Sequence, residues 1–237
     1  MRIITWNCQG AFRKKAKEIL KLKPDILIIQ ECENIEKEDL KKYEIEANSF
    51  LWYSNQNHKK GIAIFSFCEY ELELIADFNP KFRYVLPFRI FSSENSFHIF
   101  AVWAMHDKDD YQSRYIGQVW NAVNYYKELL KESTILIGDF NSNKIWDKKS
   151  RVGNHSDVVD FLRSFNIESV YHHYFGVDQG LENHPTFFLQ RRLHKAYHID
   201  YCFCSKDFFL NLDEVIVGQF EDWISFSDHV PLIINFE

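Results

Sequence analysis

The 237-residue chain has no apolar run close to the roughly 18 residues needed to cross a bilayer. Its N-terminus, Met1-Arg2-Ile3-Ile4-Thr5-Trp6-Asn7, turns polar too early for a secretory leader. These absences predict a cytoplasmic protein with no membrane association, and no segment marks an obligate protein partner. Cysteine is scarce and odd in number. Cys8, Cys32, Cys68, Cys202 and Cys204 include no C-x-x-C and no disulfide-like spacing, which fits reduced thiols. With 8 glycines and 5 prolines scattered along the chain there is no linker, so residues 1–237 read as one domain. Net positive charge is missing as well: 28 Lys and Arg against 34 Asp and Glu leave −6. A phosphate ligand would therefore need a local basic patch or a bound cation.

What is present belongs to a soluble globular fold. Hydrophobic residues at 46% and charged residues at 26% supply a core without disorder. A chain of this length buries roughly 70–75% of its extended surface, enough to need no disulfide or metal staple. Residues 2–7 read as a buried strand. Phe12, Ala16, Ile19 and Leu20 then fall at helical spacing over 11–22, with Lys14, Lys15, Lys17, Lys21 and Lys23 forming the wet face. Pro24-Asp25 stops that helix, and Ile26-Leu27-Ile28-Ile29 is a central-strand run. Strand-like runs follow at 62–67, 69–77, 83–91 and 96–104, then a helix at 112–131. A buried strand, Thr134-Ile135-Leu136-Ile137, leads to a helix at 155–165 and short strands at 186–189, 197–204, 214–218 and 230–236. Many strands with few helices predict two sheets covered by helices, with 2–29 and 112–138 as two similar halves.

Polar residues recur at the ends of the apolar strands: Asn7, Gln30-Glu31, Asp139-Phe140-Asn141, Asp200 and Asp228-His229. One aspartate at a strand end is ordinarily a turn or a cap. Five strand ends of one chemical kind call for another reason, because such groups are costly to bury unless paired or bound to a cation. Glu31, Asp139, Asn141 and Asp228 are hard oxygen donors, suited to Mg²⁺ or Mn²⁺ rather than zinc. Asp139 and Asn141, two apart, would point to one side of an extended segment. A histidine beside Asp228, with Asp200 to orient it, completes the parts for metal-assisted hydrolysis of a phosphate ester.

In order, Ile4-Thr5-Trp6-Asn7, Asp25-Ile26-Leu27-Ile28-Ile29-Gln30-Glu31, Gly61-Ile62-Ala63-Ile64-Phe65-Ser66, Ile137-Gly138-Asp139-Phe140-Asn141, His198-Ile199-Asp200-Tyr201 and Ser227-Asp228-His229 resemble the endonuclease/exonuclease/phosphatase superfamily of exonuclease III and deoxyribonuclease I. The resemblance implies an α/β fold, a four-layer α/β/β/α sandwich with its site at one end of the two sheets. It implies Glu31 as principal metal ligand with Asn7 and Asp228 beside it, and Mg²⁺ or Mn²⁺ as the ion. Asp139 would orient or deprotonate the attacking water, Asn141 would hold the phosphate and Asp139, and His229 paired with Asp200 would stabilise charge on the phosphoryl oxygens.

The pattern also departs from the family. Where exonuclease III relatives carry Tyr-x-x-Asn, this chain reads Trp103-Ala104-Met105-His106, and His106 is placed to contact phosphate as in the deoxyribonuclease I branch. Gln9 stands where an acidic or amide residue is expected, His198 where an arginine often precedes I-D-Y, and Thr186-Phe187 resembles a family element. With Lys60, Trp103 and Trp146, these residues Gln9, Thr186 and His198 are the expected substrate contacts. Arg191-Arg192 and Lys195 are further candidates, and Trp146 would stack on a base or sugar.

The remaining His172-His173, His184 and His194, together with His198, lack ligand-spaced cysteine partners and read as solvated or capping residues. Cys202 and Cys204 share one strand face and read as core thiols. The whole pattern predicts a metal-dependent phosphodiesterase, foremost a nuclease on DNA or RNA. The alternative is a hydrolase of a small phosphate ester such as a nucleotide, inositol or lipid-derived phosphate.

Overall fold

The aliphatic runs become the inner strands of two sheets. The computed structural model describes residues 1–36, 39–54, 59–82 and 84–237. The first sheet has the order Leu212–Val217 (β13), Leu232–Phe236 (β14), Arg2–Asn7 (β1), Ile26–Glu33 (β2), Lys60–Ser66 (β4) and Ser49–Tyr53 (β3). The second runs Glu71–Leu74 (β5), Val85–Phe91 (β6), Ser96–Trp103 (β7), Thr134–Asp139 (β8), Asp200–Ser205 (β12) and Ile167–Ser169 (β9). A small hairpin pairs Phe187–Phe188 (β10) with Ala196–Tyr197 (β11). The β1–β2 and β7–β8 pairs are parallel and each is joined through a helix, which is the two-half pattern expected from the sequence. The other pairings are antiparallel.

Alternation along the second sheet assigns its two faces. Ile99, Ala101, Ile135, Ile137, Cys202 and Cys204 join Ile4, Ile28 and Ile64 of the first sheet in one apolar core. The intervening Phe100, Val102, Leu136, Tyr201 and Phe203 pack under helices Ile116–Tyr125 and His155–Arg163. Each fully buried large side chain contributes about 1.5–3 kcal/mol against the entropy of ordering the chain. The five thiols are free, four of them buried, and burial pushes Cys8 up to about 12, so it is inert at neutral pH.

Several elements differ from the sequence expectation. The helix over 11–22 splits into a 3₁₀ turn at Phe12–Lys14 and helix Ala16–Leu20, because Ala11 is left-handed and Lys15 leaves the helical register. The Glu33 carboxylate accepts the free N–H groups of Phe12 (2.5 Å) and Arg13 (3.0 Å), fixing that turn. The helix over 112–131 shrinks to Ile116–Tyr125 plus a turn at Leu129–Lys131. The run at 69–77 shortens to β5, and that at 83–91 starts at Val85, with Arg83 outside the described residues. Strands β3 and β9 and helix Val170–Phe175 are additions.

Candidate active site

Neighbouring strands of both sheets end together, and this brings the polar residues into contact. Asn7 lies beside Gln30 in the β1–β2 register, and Asp139 lies between Trp103 and Asp200 in the β7–β8–β12 register. Asn7 Nδ2 crosses from one sheet to the other, donating to Asp139 Oδ2 (2.9 Å) and to Glu31 Oε1 (3.3 Å). Gly138 is required there. At φ 141° a Cβ would meet the Val102 carbonyl oxygen at 2.0 Å and Gln30 Nε2 at 2.9 Å.

Asp139 is fully buried and accepts from three protein groups. The Asn141 N–H reaches Oδ1 (2.9 Å), and Asn141 Nδ2 and Asn7 Nδ2 reach Oδ2 (3.0 and 2.9 Å). Asn141 meets Asp139 by turning back at φ 46°, as aspartate turns do, and not through the extended alternation expected from the sequence. Its second amide hydrogen goes to Ala104 O (2.9 Å), so Asn141 holds Asp139 and has no spare donor for a phosphate. Burial pushes the Asp139 carboxyl up to about 7, against the pull of His229 and with the push of Asp200.

His229 Nδ1 donates to Asp200 Oδ2 at 2.9 Å, and its Nε2 lies 4.0 Å from Asp139 Oδ2. Burial opposes charge on the ring, but Asp200, with Asp139 and Asp228 behind it, outweighs burial and lifts His229 to about 10. Phe187 packs against the ring at 4.7 Å, and the backbone that carries it is held at both groups: Trp6 Nε1 donates to the His229 carbonyl and the Ser227 hydroxyl accepts the His229 backbone N–H.

Glu31 sits at a bulge. The β2–β4 register shifts between Ile29 and Cys32, and Glu31 takes φ 57°, so the carboxylate turns out of the strand alternation. Lys60 Nζ binds Glu31 Oε2 at 2.6 Å. Gln9 donates through Nε2 to Asp228 Oδ2 (2.8 Å) and through N–H to Asn7 Oδ1 (3.0 Å). Burial raises the Asp228 carboxyl, His229 opposes this, and the charge of Glu31 adds to the rise.

The oxygen donors of Glu31, Asp228 and Asn7 fit a hard divalent cation, which would relieve the repulsion between the two half-buried carboxylates. A second cluster also groups donor atoms: those of Asp139, Asp200 and His229 lie within 4.8 Å of one another. There the imidazole is already tied through Nδ1 to Asp200 and its neighbouring carboxylates favour its charged form, whereas the acidic edge offers oxygen donors alone.

The other expected contacts separate into two sets. Gln9 and Lys60 line the acidic edge, and Trp146, 44% exposed, stands with its ring 5.0 Å from Tyr197. His106 is exposed, 5.6 Å from the Tyr115 ring, in a cleft of about 530 Å³ shared with Lys81, Lys108 and Gln118. Thr186, Trp103 and His198 are buried and bound to protein groups, where the sequence predicts exposed substrate contacts. The Thr186 hydroxyl accepts the N–H groups of Ile199 and Asp200 (both 3.0 Å) and so positions the Asp200 backbone. Trp103 packs against Tyr84 at 4.8 Å, and His198 Nδ1 donates to His184 O at 2.6 Å. Arg191 was one of several basic candidates in the sequence; its guanidinium binds Gln9 Oε1 at 2.6 Å beside the acidic edge.

A family profile described as "Endonuclease/Exonuclease/phosphatase family" matches residues 4–229. The chain belongs to that family. Members of the endonuclease/exonuclease/phosphatase family are phosphoric ester hydrolases, nucleases and phosphatases among them, that use divalent metal ions. No curated protein matches the chain. Among solved structures it is similar to the 3′ phosphatase NExo from Neisseria bound to product DNA hairpin (TM-score 0.71, 18% identity, 100% of this chain and 99% of that one). It is also similar to an AP endonuclease from Archaeoglobus fulgidus (0.70, 18%, 100% and 99%). A third is the endonuclease domain of TRAS1, a telomere-specific non-LTR retrotransposon (0.65, 19%, 100% and 98%). At these identities the structural likeness establishes the α/β sandwich fold. Among the described residues no helix is long and apolar enough to cross a membrane.

Proposed function

We propose that this chain is a Mg²⁺- or Mn²⁺-dependent phosphodiesterase that hydrolyses nucleic acid, DNA or RNA. One observation carries the reading: a fully buried carboxylate, Asp139, faces an imidazole held by Asp200, at the rim of a half-buried pair of carboxylates. Glu31, Asp228 and Asn7 would hold the cation. When bound it supplies Lewis-acid charge beside the phosphate.

The rest of the chemistry belongs to side chains. Asp139, with a carboxyl near neutrality, takes a proton from the water that attacks phosphorus. His229, protonated and locked through Nδ1, presents its Nε2–H to a phosphoryl oxygen as negative charge grows there. Asn7 and Asn141 keep Asp139 oriented while the water oxygen bonds to phosphorus and the P–O ester bond breaks; the departing oxygen takes a proton from bulk water, and Asp139 returns the one it accepted to solvent. Gln9, Lys60, His106 and Trp146 are proposed as substrate contacts on the exposed side.

Nucleic acid is favoured because the similar folds include one named as bound to a DNA hairpin and one named an AP endonuclease. The test is hydrolysis of single- and double-stranded DNA, RNA, small phosphate esters and bis(4-nitrophenyl) phosphate with Mg²⁺ or Mn²⁺. Turnover of polymers with a steep dependence of KM on salt is the expected result. Turnover confined to small esters would reassign the substrate, and none on the whole panel would overturn the reading.

A further inference from the structure

Three consecutive residues of the loop after β1 each meet a cation from a different part of the chain. Lys15 Nζ donates to Cys8 O at 2.5 Å. Arg191, from the tip of the β10–β11 hairpin, donates to Gln9 Oε1 at 2.6 Å. Lys60, from the start of β4, passes so close to Gly10 that a Cβ there would meet its Cε at 3.0 Å. The backbone on both sides is bent to permit this. Gln9, Gly10 and Ala11 have φ of 55°, 79° and 53°, and Gln190 and Arg191 have 59° and 58°.

Three like charges around one loop repel one another, and the ionisation of Lys15 reflects it. Burial lowers its pKa, Arg191 and Lys60 lower it further, and Cys8 and the Glu33 carboxylate oppose them. Lys60 has Glu31 as a counter-ion, while Lys15 and Arg191 make no ion pair among the described residues. In a chain of net charge −6 these three cations stand together beside the acidic edge, next to Asp228 through the Gln9 amide and with Glu33 near Lys15.

We infer that Lys15, Lys60 and Arg191 form an anion cradle that holds a second phosphate of the substrate, next to the one hydrolysed. The inference rests on the phosphodiesterase reading and sharpens it: the preferred substrate carries at least two phosphates. Guanidinium and ammonium groups from three elements suit a phosphate approached from several sides.

Two measurements judge it. The first is thermal unfolding with inorganic pyrophosphate in EDTA, where binding depends on the cations alone. Pyrophosphate is expected to raise Tm of the wild type, and to raise it little or not at all in Arg191→Gln and Lys15→Met. No rise in the wild type, or equal rises in both variants, overturns the cradle. The second compares thymidine dinucleotides with and without a terminal phosphate, at the 5′ and the 3′ end in turn. The terminal phosphate is expected to raise kcat/KM by about tenfold at one end, the scale of a single charge-assisted contact, and Arg191→Gln to reduce that ratio toward one. A ratio near one in the wild type at both ends counts against the cradle. Failure to cleave any dinucleotide counts instead against the hydrolase reading, while the pyrophosphate shift still decides the anion site.

Discussion

The molecule contains two histidine–carboxylate pairs of equal length, and only one is left with unused donors and acceptors. His229–Asp200 and His172–Glu182 both close at 2.9 Å. Around Glu182 the partners are complete: Oε1 also accepts the Gly180 N–H, and Oε2 accepts Asn143 Nδ2. His172 Nδ1 is taken by Ser169 and Gln179. Burial works against the Glu182 charge, but these donors outweigh it and hold the carboxyl down at about 2. The His229 pair is incomplete. Its Nε2 stops 4.0 Å from Asp139, and Asp200 Oδ1 has no hydrogen-bond partner among the described residues. A saturated pair fixes loops, whereas a pair with unused donors and acceptors can meet a substrate.

The sharpest way to break this contrast is to disable the carboxylate that faces the first pair and, separately, the one that belongs to the second. Asp139→Asn, the acceptor facing His229, should lower kcat about 10³–10⁴-fold with unchanged circular dichroism. Glu182→Gln should lower kcat less than about tenfold, and equal losses would erase the distinction. Next in size, Glu182→Ala should cost about 3–5 kcal/mol in urea unfolding, because it takes the acceptor from His172 Nε2 and the Gly180 N–H, while Asn143 Nδ2 keeps the His198 carbonyl and Tyr201 Oη.

A third effect is acid lability. Burial holds His198 down at about 4, so below its ordinary value near 6.5 the unfolded chain takes up a proton that the folded chain refuses. This histidine therefore contributes a loss of about 3 kcal/mol as pH drops from about 6.5 to about 4, opposed between about 7 and 3.8 by Asp139, whose raised carboxyl protonates first in the folded chain. The stability of His198→Phe relative to the wild type should therefore rise as pH falls through this window. Below this window Glu182 adds a further loss as pH falls from about 4.5 toward 2. The smallest effect is at Thr186. Thr186→Val strands two N–H groups, which should cost about 1–3 kcal/mol, and should lower kcat more than it changes KM through Asp200. Thr186→Ser should restore both.

The reactive pair was legible in the sequence and the saturated one was not, for a physical reason. Asn7, Glu31, Asp139 and Asp228 stand out because each interrupts or ends an apolar strand or precedes one, so their convergence follows once neighbouring strands end together. His172 and Glu182 come from loops and a short helix with no periodicity, and His172 reads as a solvated side chain although only 10% of it is exposed. The bulge at Glu31 and the fold-back at Asn141 are equally invisible, since both depend on positive φ at residues other than glycine. Lys15 shows the same limit: its helical spacing assigns it to the wet face, yet the helix breaks there and the side chain turns back to Cys8.

The most direct measurement is anomalous diffraction from crystals soaked in Mn²⁺, which would locate the ion relative to the converged strand ends. A peak at coordinating distance from the carboxylates of Glu31 and Asp228, with the His229–Asp200 contact intact, is the expected outcome. A peak bound by His229 between Asp139 and Asp200, or no peak near any of these residues, would contradict it.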